Sequence, residues 1–379
     1  MCHLRYLVVS GSPGAMGEAQ GETYRNEIQD FVARRVAHAG EFVRKYDPGR
    51  SLDRSEVLAA AEDLLDSHRN YDRALWDEFR GIARGAHVSE AELLVANGLT
   101  DIRDLVLFRG LDPRGNAKGT TDERNRRDSG ECTSFGASAE ACGGHPIIGQ
   151  TWDMHPDARD FLLVVRREPA DAPATLSLTT VGCMALTGVN SEGVGVCTSN
   201  LVPTDARDGI CYLFTISRAL TASSAHAAAD IIESTQRLSG HAFMVADGAA
   251  VLDVETTARK ARRTEHDSGV RVHSNHYLAP ELGVLAFEGV DTSSSLWRRS
   301  HLDEAFRRSG RPVDESLCWE LLSDATRGDG AVCNEDYDGQ YGEVATAATV
   351  VIRPEEGAIT ACAGGARLGE QRRFTLSRT

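Results

Sequence analysis

The pattern of apolar and polar positions changes character once along the chain. Up to about residue 110, apolar residues recur at intervals of three and four, the spacing of helices with one buried face; from residue 132 they form short runs of strand length. Residues 4–10 (LRYLVVS) predict a strand, and a helix follows from Pro13. Ser12 can cap it by accepting from first-turn amides, and Pro13 loses nothing there by lacking its own N–H. Ile28, Phe31, Val32, Val36, Ala39, Phe42 and Val43 mark one helical face as far as the stop at Asp47-Pro48-Gly49. Asp53-x-x-Glu56 and Ser89-x-x-Glu92 have the form of capping boxes and predict two further helix starts. Gly14, Gly17 and Gly21 do not follow a strand as a dinucleotide fingerprint does, and predict close helix packing instead.

Leu111 to Gly130 (LDPRGNAKGTTDERNRRDSG) is polar, charged and Gly-rich and predicts a linker. Beyond it CTSFGASA, HPIIGQTWDM, FLLVVRR, TLSLTTVG, MALTGVN and GVGVCTSNL read as strands. CYLFTISRALTASSAHAAADIIEST predicts one long amphipathic helix, and HAFMVADGAAVLDVET a hairpin turning at Asp247-Gly248. VRVHSNHYL reads as a strand, SLWRRSHLDEAFRRS and ESLCWELLS as helices, and ATAATVVIRPEEGAITACAG as a last hairpin. Strands, helices, then strands predict an α+β fold of sheets flanked by helices. The expected organisation is one integrated domain: a mostly helical segment 1–110, a linker 111–131 and a catalytic segment 132–379.

With 379 residues the chain can bury a large core, and its net charge of -15 argues against nucleic acid or an anionic membrane surface as partner. The opening MCHLRYLVV predicts no secretory signal, and no apolar run reaches membrane-spanning length. Nine cysteines without a C-x-x-C pair suit reduced thiols in a cytoplasmic setting better than a disulfide framework or a zinc site. The only lysines, Lys45, Lys118 and Lys260, leave no Walker-type or Schiff-base lysine. What is left is a small-molecule or peptide partner, and no cofactor is implied.

Cys132 opens the first strand after the linker. Cutting before it would free an α-amine able to serve as base for the adjacent thiol, since a thiol near pKa 8.5 and an α-amine near 7.7 to 8.0 exchange a proton readily. Removal of Met1 would expose Cys2 in the same way, but the single strand expected after it leads into a helical region rather than into paired strands. Asn275 is the oxyanion candidate, because a side-chain amide can donate to the oxygen that becomes negative in a tetrahedral intermediate. His273 and His276 fall on opposite faces of a strand and so do not chelate one metal ion. No serine lies in G-x-S-x-G.

Ser129 to Gly136 (SGECTSFG), Gly149-Gln150-Thr151-Trp152-Asp153, His273-Ser274-Asn275-His276-Tyr277, Ser10 to Gly21 and Gly188 to Gly195 together resemble the acyl-coenzyme A:isopenicillin N acyltransferase family. The resemblance runs over nearly the whole chain in order. It implies a four-layer αββα N-terminal nucleophile hydrolase fold and a precursor that cuts itself between Glu131 and Cys132 into segments that stay associated. It further implies acyl transfer through a Cys132 thioester, with an amide, a peptide or an acyl thioester such as coenzyme A's as substrate. Asp153 matches the family's aspartate beside the active cysteine, and Thr133, Ser134, Trp152 and His273 are expected around the site. Two departures stand out. Glu131 occupies the place of a glycine, which predicts slow cutting, and no arginine is carried over, the helix with Arg298, Arg299, Arg307 and Arg308 reading as a solvated face. The competing expectation is an uncleaved, non-catalytic relative that binds a peptide-like ligand.

Overall fold

Two β-sheets packed face to face form the centre of the molecule. The computed structural model describes residues 4–46, 52–108, 127–128, 132–336 and 344–376. The larger sheet runs β1 (Arg5–Gly11), β5 (Leu162–Pro169), β6 (Thr175–Thr180), β7 (Thr187–Asn190), β8 (Gly195–Leu201), β9 (Gly240–Ala246), β10 (Val251–Thr256), β11 (Ala261–Glu265). Its first pair is parallel, with Arg5 opposite Leu163, and the others are antiparallel. The smaller, antiparallel sheet runs β12 (Val270–His273), β3 (Thr133–Ala137), β4 (Ile147–Met154), β14 (Ala345–Arg353), β15 (Ala358–Ala363), β16 (Arg372–Thr375). A separate parallel pair joins β2 (Arg127–Asp128) to β13 (Val290–Asp291).

β3 and β4 are buried along their whole length, which is why their sequences are apolar or small without clean alternation. The sheets approach so closely at Gly136 that a Cβ there would lie 2.5 Å from Val251 Cγ1. Polar bridges cross the same gap: Gln150 Oε1 accepts from the Thr198 amide at 2.7 Å, and Ser134 Oγ meets Ser199 Oγ at 3.2 Å.

Helices cover both outer faces. On the larger sheet α9 (Tyr212–Ala219) and α10 (Ala225–Ser234) bury Ile216, Ala228 and Ile232 against Phe243, Val245 and Val254. On the smaller, α12 (Ser293–Ser309) and α13 (Glu315–Leu322) bury Leu302, Phe306 and Leu317 against Phe135, Ile147 and Val351. The result is the expected αββα layering. α8 (Ala139–Cys142) and α11 (Pro280–Gly283) are short connectors. The single long helix expected over residues 211–235 is in fact two, because Ser224 caps a new start by accepting from the Ala227 amide.

The N-terminal segment is helical as expected: α1 (Pro13–Thr23), α2 (Arg25–Tyr46), α3 (Arg54–Glu62), α4 (Leu65–Tyr71), α5 (Arg73–Ala86), α6 (Glu90–Asn97) and α7 (Leu99–Phe108). Ser12 accepts from the Ala15 amide, and both capping boxes form. The α1 glycines are packing positions, since a Cβ on Gly17 would stand 1.9 Å from the Glu78 carbonyl oxygen of α5. The layer is tied to the sandwich through rings, with Phe31 meeting Phe161 and Phe79 meeting Phe214. No described helix is long and apolar enough to cross a membrane. Cys2, Glu131 and most of the 111–131 linker lie outside the described residues.

Candidate active site

Cys132 stands immediately before β3, buried between the sheets. Its Sγ receives the Asp153 backbone N–H at 3.4 Å and lies 3.7 Å from the Asp153 carbonyl oxygen. Pairing of β3 with β4, with Thr133 opposite Thr151, sets this contact, so the Cys-Thr-Ser and Gly-Gln-x-Trp-Asp stretches meet as adjacent strands. Burial first, and then the Asp153 carboxylate, push the Cys132 thiol up to about 12, against hydrogen bonds from the Asp153 and Asn200 amides and the positive charge of Arg298. At neutral pH the group is therefore S–H. It attacks only if a base takes its proton, and a carboxylate in Asp153's place favours a cation there.

Arg298, read from sequence as part of a solvated face, is fully buried in the same centre. Its Nη1 donates to the Cys132 carbonyl oxygen at 2.6 Å and to Thr133 Oγ1 at 2.7 Å; its Nη2 donates to Asn275 Oδ1 at 3.1 Å. The buried residues of α12 are Ser294, Ser295, Arg298, Leu302 and Phe306, a stripe of three- and four-residue steps that includes the arginine. Arg307 and Arg308 are the solvated ones, bonded to Asp303 and Glu304 one turn back. Asn275 is held on both sides: its Nδ2 donates to the Asn200 carbonyl oxygen at 2.9 Å, and its backbone N–H to Ser295 Oγ at 2.8 Å. Cys132, Asp153, Asn275 and Arg298 thus converge from β3, β4, the loop after β12 and α12.

Residues 140–368 match the model of the family described as acyl-coenzyme A:6-aminopenicillanic acid acyl-transferase. The chain belongs to this family. Asp153, Asn275 and Arg298 lie inside the matched stretch of the acyl-transferase family, and Cys132 just upstream of it. Among solved structures, the chain is similar to a C2A mutant of conjugated bile acid hydrolase from Clostridium perfringens, at 12% identity and TM-score 0.42 over 65% of this chain and 98% of that one. It is also similar to penicillin V acylase from Agrobacterium tumefaciens, at 14% identity and TM-score 0.45 over 65% and 87%. Likeness at this level assigns no role to any residue.

The other expected residues of this acyl-transferase family member surround the centre rather than enter it. Thr133 Oγ1 accepts from Arg298, and Ser134 bridges the sheets. Trp152 is buried, with its side chain lining a small cavity on the helical side. β12 ends at His273, so strand alternation does not govern residues 274–277: the Asn275 amide and His276 Nδ1 both meet Ser295 Oγ, His276 at 2.7 Å. His273 Nε2 meets Glu255 Oε1 at 3.1 Å, and Glu255 also accepts from the Leu278 and Ala279 amides. Burial opposes a charged His273, but Asp253 and Glu255 outweigh it and its pKa is raised. The His273–Glu255 pair thus anchors the loop that carries Asn275.

Proposed function

We propose that the protein is a cysteine enzyme that cleaves or forms amide bonds by acyl transfer through Cys132, after cutting itself between Glu131 and Cys132. The observation that carries this reading is the arginine bridge, in which one buried guanidinium joins the carbonyl of Cys132 to the side chain of Asn275 while Asp153 sits at the thiol. In maturation, the Cys132 sulfur attacks the Glu131 carbonyl carbon, the peptide C–N bond breaks as nitrogen takes a proton, and water hydrolyses the resulting thioester. That leaves a carboxylate on Glu131 and a free α-amine on Cys132.

In turnover the α-amine takes the thiol proton and sulfur adds to the substrate carbonyl. The Asn275 side-chain amide, as a donor, suits the developing oxyanion, and the α-ammonium returns its proton to the leaving amine. Asp153 would hold the ammonium form. Arg298 fixes the backbone of the nucleophile and the Asn275 amide in one rigid frame. Water resolving the acyl-enzyme gives hydrolysis; an amine gives transfer, the outcome that the family's acyl-coenzyme A description names.

Denaturing gels and intact mass test both halves. Wild type should give fragments 1–131 and 132–379, the second beginning with cysteine, and should gain an acyl mass on exposure to acyl thioesters or activated amides. Cys132→Ala should remain one band and gain nothing. An intact wild type that turns over no substrate would leave the ligand-binding alternative standing.

A further inference from the structure

A cavity of about 390 Å³ lies on the helical side of the larger sheet, between α1, α5, the end of α9 and the turn that joins β5 to β6. None of Cys132, Asp153, Asn275 and Arg298 lines it. Asp153, at the thiol, stands near the end of β4, from which the chain returns to the larger sheet at Leu162, opposite Thr180. Arg167, Pro169 and Thr175, which do line the cavity, are at the other end of those two strands. At about 3.3 Å per residue, Arg167 is roughly 16 Å along β5 from Leu162. The cavity is therefore remote from the catalytic centre.

Its walls are largely apolar, with Met16, Leu75, Met184 and Leu220 among them. Glu78 and Arg167 are built into these walls as a pair, their side chains 6% and 8% exposed, with Arg167 Nε donating to Glu78 Oε1 at 2.6 Å. Arg167 is used further, donating from Nη1 to Ser177 Oγ at 2.8 Å. Glu78 is not: among the described residues no hydrogen bond reaches its Oε2. A carboxylate oxygen accepts and does not donate, so whatever completes it must bring an N–H or an O–H. The other charged residues of the lining are Asp72 and Asp171. Asp72 caps α5 and has Arg218 at 3.8 Å, whereas Asp171 is exposed and in no ion pair among the described residues. Asp72, Glu78 and Asp171 against Arg167 and Arg218 leave one negative charge in excess, on a chain of net charge -15. Such a field draws in cations.

We propose that this cavity is a second binding site, for an organic amine of the arylalkylamine kind. The ammonium donates to Glu78 Oε2, and the apolar body lies among Met16, Leu75, Met184 and Leu220. Cavities of about 300 Å³ and more hold small-molecule ligands in this way, with apolar walls and a few placed polar groups. An anion meets the carboxylate excess, and a wholly apolar molecule leaves Glu78 Oε2 buried against hydrocarbon without a partner. The amine is bound and not acylated, so the site stands whether or not Cys132 is a nucleophile.

Methyl NMR of methionine-labelled protein reads binding and its place together, because Met16 and Met184 line the cavity while Met154 in β4 and Met244 in β9 do not. The probes are 2-phenylethylamine and 2-phenylethanol, which share a shape and differ in charge. The amine should shift Met16 and Met184 saturably and bind at least about tenfold more tightly than the alcohol, as a charged hydrogen bond requires. Cys132→Ala should bind it as wild type does. Glu78→Gln combined with Arg167→Gln removes both buried charges at once, leaving neither alone, and should bind the two probes equally. Shifts confined to Met154 or Met244, no saturable shift, equal affinity of wild type for the two probes, or a preference that survives in the double variant would each overturn the proposal. If the double variant does not fold, Asp171→Asn at the exposed position decides: it should weaken the amine by about two- to fivefold and leave the alcohol unchanged, and an amine affinity that stays at the wild-type value would overturn the site.

Discussion

Arg298 and Cys132 are joined side chain to backbone: a guanidinium N–H lies 2.6 Å from the carbonyl oxygen of the residue proposed as nucleophile. The bond holds the strand start rather than the sulfur, so Arg298 acts by keeping Cys132 and Asn275 in register. A lysine cannot span both with one planar fork. Arg298→Lys should therefore fold, with turnover and self-cutting each slowed by about tenfold to a hundredfold, as loss of a charged hydrogen bond worth roughly 1.5 to 3 kcal/mol requires. Kinetics and fragment yield measured on one preparation check this, and unchanged rates would remove Arg298 from the site.

Asn275→Ala should lower turnover by about a hundredfold or more, since an oxyanion donor is typically worth roughly 2.7 to 4 kcal/mol. The substitution also removes the hydrogen bonds that Asn275 makes to Arg298 and to the Asn200 carbonyl, so urea unfolding should show a loss of about 1 to 3 kcal/mol. A stability loss with wild-type turnover would make Asn275 a loop anchor only.

The Asp153 carboxylate opposes ionisation of the neighbouring thiol. Asp153→Asn should accordingly lower the pH midpoint for iodoacetamide alkylation of Cys132, read by peptide mass, while turnover falls because the proposed α-ammonium would lose its proposed partner. An upward or absent shift of the midpoint would contradict the electrostatic role.

His68 is buried with Nδ1 against the Leu64 carbonyl oxygen and Nε2 accepting from the Cys211 amide, and burial lowers its pKa to about 4. Below about pH 6.5 the unfolded chain takes up a proton that the native state refuses until about pH 4, so this stability is present above 6.5 and drains away as pH falls to 4. The loss is on the order of 3 kcal/mol. Urea midpoints at pH 7 and pH 4.5 should fall less steeply in His68→Gln, whose amide can make both hydrogen bonds.

Gly17→Ala would put a Cβ 1.9 Å from the Glu78 carbonyl oxygen, a backbone atom that cannot rotate aside. α1 and α5 must then separate, and overpacking of this kind costs about 1 to 3 kcal/mol. Thermal melting checks it; an unchanged midpoint would show that the two helices can slide.

What was legible in the sequence was local. Ser12, Asp53 and Ser89 cap helices with atoms three residues away, so their patterns carry the whole interaction. Asp153 and Asn275 were legible because they stand in recognisable stretches, and the structure brings both to the Arg298–Cys132 centre. Arg298 was not, because its partner is a carbonyl 166 positions upstream, although its step to Leu302 and Phe306 already placed it on the buried side. The strand expected over residues 270–278 stopped at His273, since Ser295 and Glu255 offer the next residues bonds that a ladder would deny them. Such partners lie in other elements, and no local pattern announces them.

The parallel pairing of β1 with β5 also says something about birth order. At roughly 5 to 20 residues per second, a ribosome releases Arg5 on the order of ten seconds before Leu163, its neighbour in the sheet, exists. Asn275 and Arg298 come later still. A nascent chain therefore carries Cys132 for much of its synthesis without the residues that hold it, and Cys132 meets its frame only when most of the protein has emerged.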